Sequence, residues 1–458
     1  MHRTCPFVPA QGDAPAQENA TAPTGARAPQ DAPRGAPQAA PQQASAPSDL
    51  SVSGTDSRRI VALLAALRSP RGQSDPAAVY RRLRAHGEVV ASPWGGPLLT
   101  SYAACDQVLR DRNWLTLDAP WRRRQGKRWT SPASAEFGEM LMVLNPPDHT
   151  LQRRVLGSAF DRAALARLRE TVSVQVTGLL DDLEQQLKEG TADFAATVGE
   201  ELPVAAVGSW LAIPPADFPL LRRLTHEQTL AQELFPTAAQ LATADRAALE
   251  LRSYFEALVD ERRRHPGDDV VSGWLRLWQQ AAPEQSPDVV RRLAMFTVMA
   301  GLETTTALLN SAVWLLGQHP DQADWLRYHV EGIPGAVEEI LRYDPPVHVV
   351  TRVASRGNTL SGTGIHEGQL VYAMIASAQH DPDFISDPAR FDVRRPAARH
   401  LAFGQGPHYC LGAGLARLEA AVLLEQLLPR FPRLRLAEPP QWEPRVAFRR
   451  MRNLLVTA

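Results

Sequence analysis

The stretch Phe403-Gly404-Gln405-Gly406-Pro407-His408-Tyr409-Cys410-Leu411-Gly412 decides how this chain is read. It sets one cysteine at the end of a glycine-punctuated loop, and a helical run, Leu411 to Leu428, begins at once. A helix N-terminus presents unpaired N–H groups and a partial positive charge, so it favours an anionic sulfur able to bind a metal. Gly404, Gly406 and Gly412 let the backbone approach a flat partner and take turns that other residues resist. A buried structural cysteine beside a glycine turn is the competing reading, and the cysteine alone does not separate the two.

The string resembles the haem-binding loop of the cytochrome P-450 haem-thiolate monooxygenases, Phe-Gly-x-Gly-x-x-x-Cys-x-Gly. The resemblance implies a mainly α fold with a minor β lobe: a large helical lobe, a long central helix and a small β-sheet lobe. It also implies haem b (iron protoporphyrin IX), with Cys410 as axial ligand of the iron and Phe403, Gly404 and Gly412 as parts of the haem-binding loop. Thiolate ligation of this kind pushes electron density that favours O–O cleavage. Three further motifs, in family order, extend the resemblance over roughly residues 75 to 458.

The second motif lies on the longest predicted helix. Ser286-Pro287-Asp288 gives an N-cap residue, a proline at the first position and an acid in the first turn, and Gly317 and Pro320 mark the end. Some 30 residues at 1.5 Å each span about 45 Å. Charges are nearly absent after Arg292, so the helix must be buried through the molecule. Inside it, Ala300-Gly301-Leu302-Glu303-Thr304-Thr305-Thr306 combines a glycine with three β-branched residues, poor choices for a helix interior. Gly301 leaves room for a close approach. The Thr304 hydroxyl can bond back to the Ala300 carbonyl or release it and leave a notch. Glu303 is an ionisable group in an apolar segment, costly unless partnered or used. The string is similar to the family's acid–alcohol pair, which implies catalytic roles for Glu303 and Thr304 in delivering protons where dioxygen binds.

The third motif is Glu339-Ile340-Leu341-Arg342, whose spacing puts carboxylate and guanidinium on one helix face. It resembles the family's Glu-x-x-Arg helix, which implies a buried structural ion pair with Arg395, or alternatively Arg390, as third member. The fourth is Asn145-Pro146-Pro147-Asp148-His149-Thr150-Leu151-Gln152-Arg153-Arg154. His149 and Arg153 share one helix face and can grip a single anion. Asn145 stands where the family string usually has Asp, a cap-competent change. The resemblance implies that His149 and Arg153 bind a haem propionate, with Arg352 and His400 as further propionate contacts. Smaller likenesses are Glu201-Leu202-Pro203, Leu211-Ala212-Ile213-Pro214 and His265 to Asp269, near the family's substrate-lid helices. His380-Asp381-Pro382 departs from the family's Asn-Arg-Asp-Pro.

The rest of the chain sets bounds. It has 458 residues, enough for more than one lobe, and a formal net charge of −1, so no global field suggests nucleic acid. Three scattered cysteines, Cys5, Cys105 and Cys410, rule out a disulfide framework and point to the cytoplasm. With no apolar run of about 20 residues and no apolar leader core, neither a membrane span nor a secretory signal is expected. Residues 1–58 are rich in Ala, Pro and Gln and are expected to be disordered; the folded domain is expected over 59–458. Ile60 to Leu67 reads as the first helix. Further helices read over 151–160, 163–189, 200–212 and 241–264, and β-like segments over 89–99, 347–354, 369–375 and 454–456.

The expected enzyme is a cytoplasmic, monomeric haem monooxygenase of the soluble bacterial type. It inserts one atom of dioxygen into a small organic substrate by hydroxylation or epoxidation, as in natural-product tailoring. The chain has no Gly-rich nucleotide fingerprint and no cysteine cluster for iron–sulfur, so electrons must come from separate proteins, by resemblance a ferredoxin and its reductase. The alternatives are a haem-thiolate enzyme of atypical outcome, such as oxidative coupling or nitration, and a non-catalytic haem sensor. The substrate pocket is expected to involve Phe296, Met299, Ala300, Val347, His348, Val349, Val350 and Phe448. Over 111–137, Trp114, Trp121 and Trp129 interleave with Arg122, Arg123, Arg124, Lys127 and Arg128, which suits either an acidic substrate or a solvated loop.

Overall fold

The structure, a computed structural model, describes residues 54–126, 129–396 and 399–458. Residues 1–53, most of the segment expected to be disordered, lie outside the described residues, as do Lys127 and Arg128. The first helix, Gly54–Leu67, begins ahead of the boundary expected near Arg59. Its Ile60, Leu63, Leu64 and Leu67 recur at helical spacing and are buried against Val79, Tyr80 and Leu83 of the helix Pro76–Arg84.

The central helix runs Asp288–Gln318, 31 residues and about 46 Å. Pro287, not Ser286, is its cap residue, while the Ser286 hydroxyl accepts from the Asp288 N–H at 3.2 Å. Its two halves sit in different apolar clusters. Leu293, Val298 and Leu302 pack with the helices Glu201–Trp210, Ala238–Arg264 and Val270–Ala281. Leu308, Ala312 and Leu315 pack with the helices Arg162–Leu187, Ile333–Tyr343 and Ala413–Arg430. A helix apolar on all sides is thus stable only because it threads the core. Gly301 does make room for a close approach, and the group that approaches is Val207: a Cβ at 301 would come 2.9 Å from its Cγ2.

Helices Phe218–Thr229, Val270–Ala281 and Pro320–Tyr328 were not among those read from the sequence. The β part contains a five-stranded sheet ordered Val89–Val90, Leu98–Leu99, Leu370–Met374, Val349–Ala354, Trp114–Leu115. Leu98–Leu99 pairs in parallel with Leu370–Met374, and the other pairings are antiparallel. The C-terminal strand Leu455–Thr457 lies between Ala192–Asp193 and Arg435–Leu436.

Glu339 holds the helix Ile333–Tyr343 to the loop ahead of the cysteine. Arg342 bonds both carboxylate oxygens, at 2.8 and 2.7 Å, and the Arg395 Nε lies 3.3 Å from Oε1. Arg342 also donates to the carbonyls of Pro388 and Arg390. Arg390 itself pairs at the surface with Asp392, so Arg395 is the third member.

Candidate active site

The cysteine loop is held by its own backbone. The Cys410 N–H donates to the Phe403 carbonyl and the Gly404 N–H to Leu401, both at 2.9 Å. Gly404 and Gly406 have φ of +67° and +66°, the left-handed region where glycine is at ease. A Cβ at 406 would also lie 2.6 Å from the Leu109 carbonyl oxygen. The helix after the loop starts at Ala413, two residues later than Leu411. Cys410 is exposed at the surface of this site, although protein surrounds its sulfur on the other sides. That burial pushes the thiol up, while the Gly412 N–H, Arg153, Arg417 and the Ala413 N–H pull it back towards thiolate.

Four basic side chains gather beside it. His149 is 3 % exposed, and its Nε2 has no hydrogen-bond partner among the described residues. Its ring centroid lies 4.1 Å from that of His408. Burial lowers His149 to about 4, with Arg153 and Arg352 adding to the effect. Burial, then Arg352, His149 and Arg153, lower His408 to about 2. Arg352 is lowered to about 10 by burial and donates to the Thr351 carbonyl. Arg153 donates to the Tyr409 carbonyl at 2.7 Å. Among the described residues no carboxylate forms an ion pair with any of the four. Arg352 is thus a buried cation without a counter-anion, which is costly, and an anionic ligand reaching it and the half-buried Arg153 would offset that cost while accepting hydrogen bonds from the two neutral imidazoles.

His400 needs correction as a propionate contact. Its Nε2 is 3.0 Å from Glu338 Oε2, and its Nδ1 accepts from the Ala402 N–H. Arg417 grips the same Glu338 at 2.6 and 2.8 Å and lies over the Phe403 ring. With both ring nitrogens engaged, His400 braces the loop from behind. The histidine that faces His149, Arg153 and Arg352 is His408. The signal in the sequence was its position, two residues before the cysteine in the same loop.

Across the site, the Thr304 hydroxyl donates to the Ala300 carbonyl at 2.6 Å. Glu303 is 4 % exposed, and three basic groups hold it. Arg445 Nη1 lies 2.6 Å and Arg450 Nη1 3.0 Å from its oxygens, and His226 Nδ1 stands 3.5 Å away. Burial alone raises this carboxyl, but Arg450, His226 and Arg445 outweigh it and hold it at about 2. Arg445 also bonds Glu233 and the Thr229 hydroxyl, and His226 Nε2 lies 3.3 Å from Glu443. The central helix is therefore tied to the helix Phe218–Thr229 and to the C-terminal turn. Nothing local in the sequence announces Arg445 or Arg450, which lie 142 and 147 positions from Glu303.

A cavity opens over this part of the central helix. Phe296, Met299, Ala300, Glu303 and Thr304 line it together with Val347, Val349, Val350, Arg352 and Phe448. Thr116 and Phe137, from the segment over 111–137, line it as well, and residues not anticipated as pocket lining include Met142, Val143 and Tyr372. His348 is a second correction. It does not line the cavity; it is buried on the other side of the chain, its Nδ1 2.9 Å from the Tyr80 hydroxyl. Alternation along the extended segment turns it away from Val347 and Val349. The tryptophan–arginine segment divides: Arg122 is buried at the cavity wall, while Arg123 and Arg124 are exposed.

The residues thus fit an axial thiolate ligand and two acidic arms of one planar cofactor, with an apolar chamber on the side of the central helix. Comparison with known proteins agrees. The Cytochrome P450 family model matches residues 234–451. The chain is 33% identical over 392 residues to Cytochrome P450 monooxygenase PikC of Streptomyces venezuelae, covering 83% of this chain and 90% of that protein. It is 31% identical over 367 residues to Polyketide biosynthesis cytochrome P450 PksS of Bacillus subtilis (strain 168), covering 79% and 88%. The structure of P450BioI in complex with an acyl carrier protein carrying hexadec-9Z-enoic acid superposes with a TM-score of 0.79 at 28% identity, over 85% of this chain and 100% of that one. The chain belongs to the cytochrome P450 family and is a haem-dependent monooxygenase. Among the described residues no helix is long and apolar enough to cross a membrane.

Proposed function

We propose that the protein hydroxylates or epoxidises a small, largely apolar organic molecule as a step in tailoring a natural product. It takes electrons from a ferredoxin and its reductase and works as a cytoplasmic monomer. The observation that carries the substrate reading is the cavity: Phe137, Phe296, Met299, Val347 and Phe448 give it apolar walls directly beside Thr304. The relatives PikC, a cytochrome P450 monooxygenase, and PksS, a polyketide-biosynthesis cytochrome P450, support the same reading.

Cys410 would hold the haem iron, and His149, Arg153, Arg352 and His408 would hold its propionates. When bound, haem supplies the binding and reductive activation of dioxygen. The residues supply the rest. The Gly412 and Ala413 N–H groups and Arg417 stabilise negative charge at the Cys410 Sγ. The Thr304 Oγ1, by leaving the Ala300 carbonyl, offers its O–H to the cavity. Glu303 can take up a proton only when its carboxylate loosens from Arg445 and Arg450, because their charges keep it ionised. His226, a quarter exposed and between Glu303 and Glu443, is the group nearest solvent on that route.

The test is multi-turnover product formation with surrogate ferredoxin and reductase, run beside ferrous–CO spectra of the native protein and Cys410→Ala. Product from the native protein, and loss of the thiolate-type Soret band in the variant, are expected. Haem binding without any turnover would favour the sensor reading, and a thiolate-type band retained by Cys410→Ala would refute the ligand assignment.

A further inference from the structure

We propose that Glu136 latches the wall of the substrate cavity: its ion pair with Arg291 holds the helix Pro132–Phe137 shut, and larger ligands pass only when that pair parts. This deepens the monooxygenase reading and rests on it. The wall is one helix thick at this point. Ser134 and Phe137, three positions apart, are buried and line the cavity, while Pro132 and Ala135, also three apart, are exposed. Six residues are too few for a helix to hold its place alone. Two long neighbours tie it down. The Ala133 N–H donates to Asp245 Oδ1 at 2.9 Å, on the helix Ala238–Arg264, and Ala133 packs with Ala244 and Ala248. Glu136 Oε1 accepts from Arg291 Nη1 at 2.6 Å, on the first turn of the central helix.

The pair is strong enough to favour the closed wall and is placed so that it can open. The Arg291 side chain is 2 % exposed and that of Glu136 9 %, so their bond is charge-assisted and partly dry. Asp288 also meets Arg291, with Nε 2.6 Å from Oδ1 and Nη2 3.4 Å from Oδ2, but it serves Arg292 as well. Arg291 therefore keeps a carboxylate when Glu136 leaves, and still gains from its return. The leaving Glu136 is not stranded either. Its Oε2 already lies 3.8 Å from Arg252, which is half exposed on the helix Ala238–Arg264. A tie of this kind sets a barrier that entry and exit share, so weakening it speeds both by the same factor and leaves affinity unchanged.

The experiment uses the haem-loaded protein and two nitrogen ligands of different size, imidazole and 4-phenylimidazole, followed by the type II spectral shift in stopped flow. Glu136→Gln should raise the association and dissociation rates of 4-phenylimidazole about tenfold each, which corresponds to ~1.4 kcal/mol, and leave their ratio within about twofold. Imidazole, which needs a narrower opening, should be accelerated far less. Glu425→Gln, which breaks an exposed pair with Arg169 away from the cavity, should change neither ligand. In the native protein, added salt should speed both 4-phenylimidazole rates, because it screens the charges that part. Unchanged 4-phenylimidazole rates in Glu136→Gln, a change in only one of the two, equal acceleration of imidazole, or native rates indifferent to salt would each overturn the proposal. The salt series needs no variant, so misfolding of Glu136→Gln cannot hide the answer. Failure of the monooxygenase reading would show separately, as a missing thiolate-type ferrous–CO band or absent turnover.

Discussion

Replacing Arg445 with methionine tests the charge cluster that holds the acid of the central helix. Arg445 is 1 % exposed and bonds Glu303 at 2.6 Å, Glu233 at 3.1 Å and the Thr229 hydroxyl at 2.9 Å. Methionine keeps most of the volume and removes the charge. Glu303 then keeps Arg450, and Glu233 keeps the Val446 and Ala447 N–H groups. Both carboxylates stay buried with less compensation. Removing one partner of a buried pair costs about 3–5 kcal/mol. A folded part of roughly 400 residues, at ~2.1 cal/mol/K each, has an unfolding entropy of about 0.8 kcal/mol/K. The midpoint of thermal unfolding should therefore drop by about 4–6 °C. Calorimetry of the haem-loaded protein at fixed scan rate and pH 7 reads this directly. The double variant Arg445→Met/Glu303→Gln should recover part of the loss, because the stranded charge is gone. A midpoint within about 1 °C of the native protein, or strictly additive losses in the double variant, would refute the account.

Thr304→Ala should uncouple NAD(P)H oxidation from product, since it deletes the only hydroxyl bonded to the Ala300 carbonyl at the cavity wall among the described residues; unchanged coupling with the true substrate would remove Thr304 from proton delivery. Glu339→Gln should destabilise by about 3–5 kcal/mol, because Arg342 and Arg395 lose their shared carboxylate; denaturant midpoints at constant slope measure it, and a loss under about 1 kcal/mol would make the cluster ornamental. His226 should add a pH-dependent increment. Burial lowers its pKa, but Glu303 and Glu443 raise it above the ordinary value overall. Its stabilisation is thus complete below pH ~6.5 and fades as pH rises through the raised value. Comparing native and His226→Gln stability from pH 5 to 9 checks this; parallel curves would sink it.

Sequence and structure diverge most where contacts are long-range. The Cys410 loop was legible because its determinants are contiguous: the glycines, the cysteine and the helix that follows. The 31-residue central helix was legible because its apolar run admits only burial. The histidines were harder. His400 precedes the loop and His408 lies within it, and both are basic. Only packing shows that Glu338, held by Arg417, takes His400, while His408 faces His149. His348 and Arg122 make the same point. Neighbouring positions in an extended segment or a short helix face opposite ways, and a local pattern too short to establish a period cannot say which way is inward.

Sequence alone thus determined the family, the cofactor class and the long central helix, because each rests on local chemistry or on a long apolar run. Tertiary structure alone decided the state of Glu303. A lone acid on an apolar helix reads as a group awaiting use. Arg445 and Arg450, brought from the far end of the chain, make it a clamped carboxylate held at about 2. The same packing put Arg122 inside and Arg123 outside. Charge energies depend on distance and dielectric, and the fold sets both.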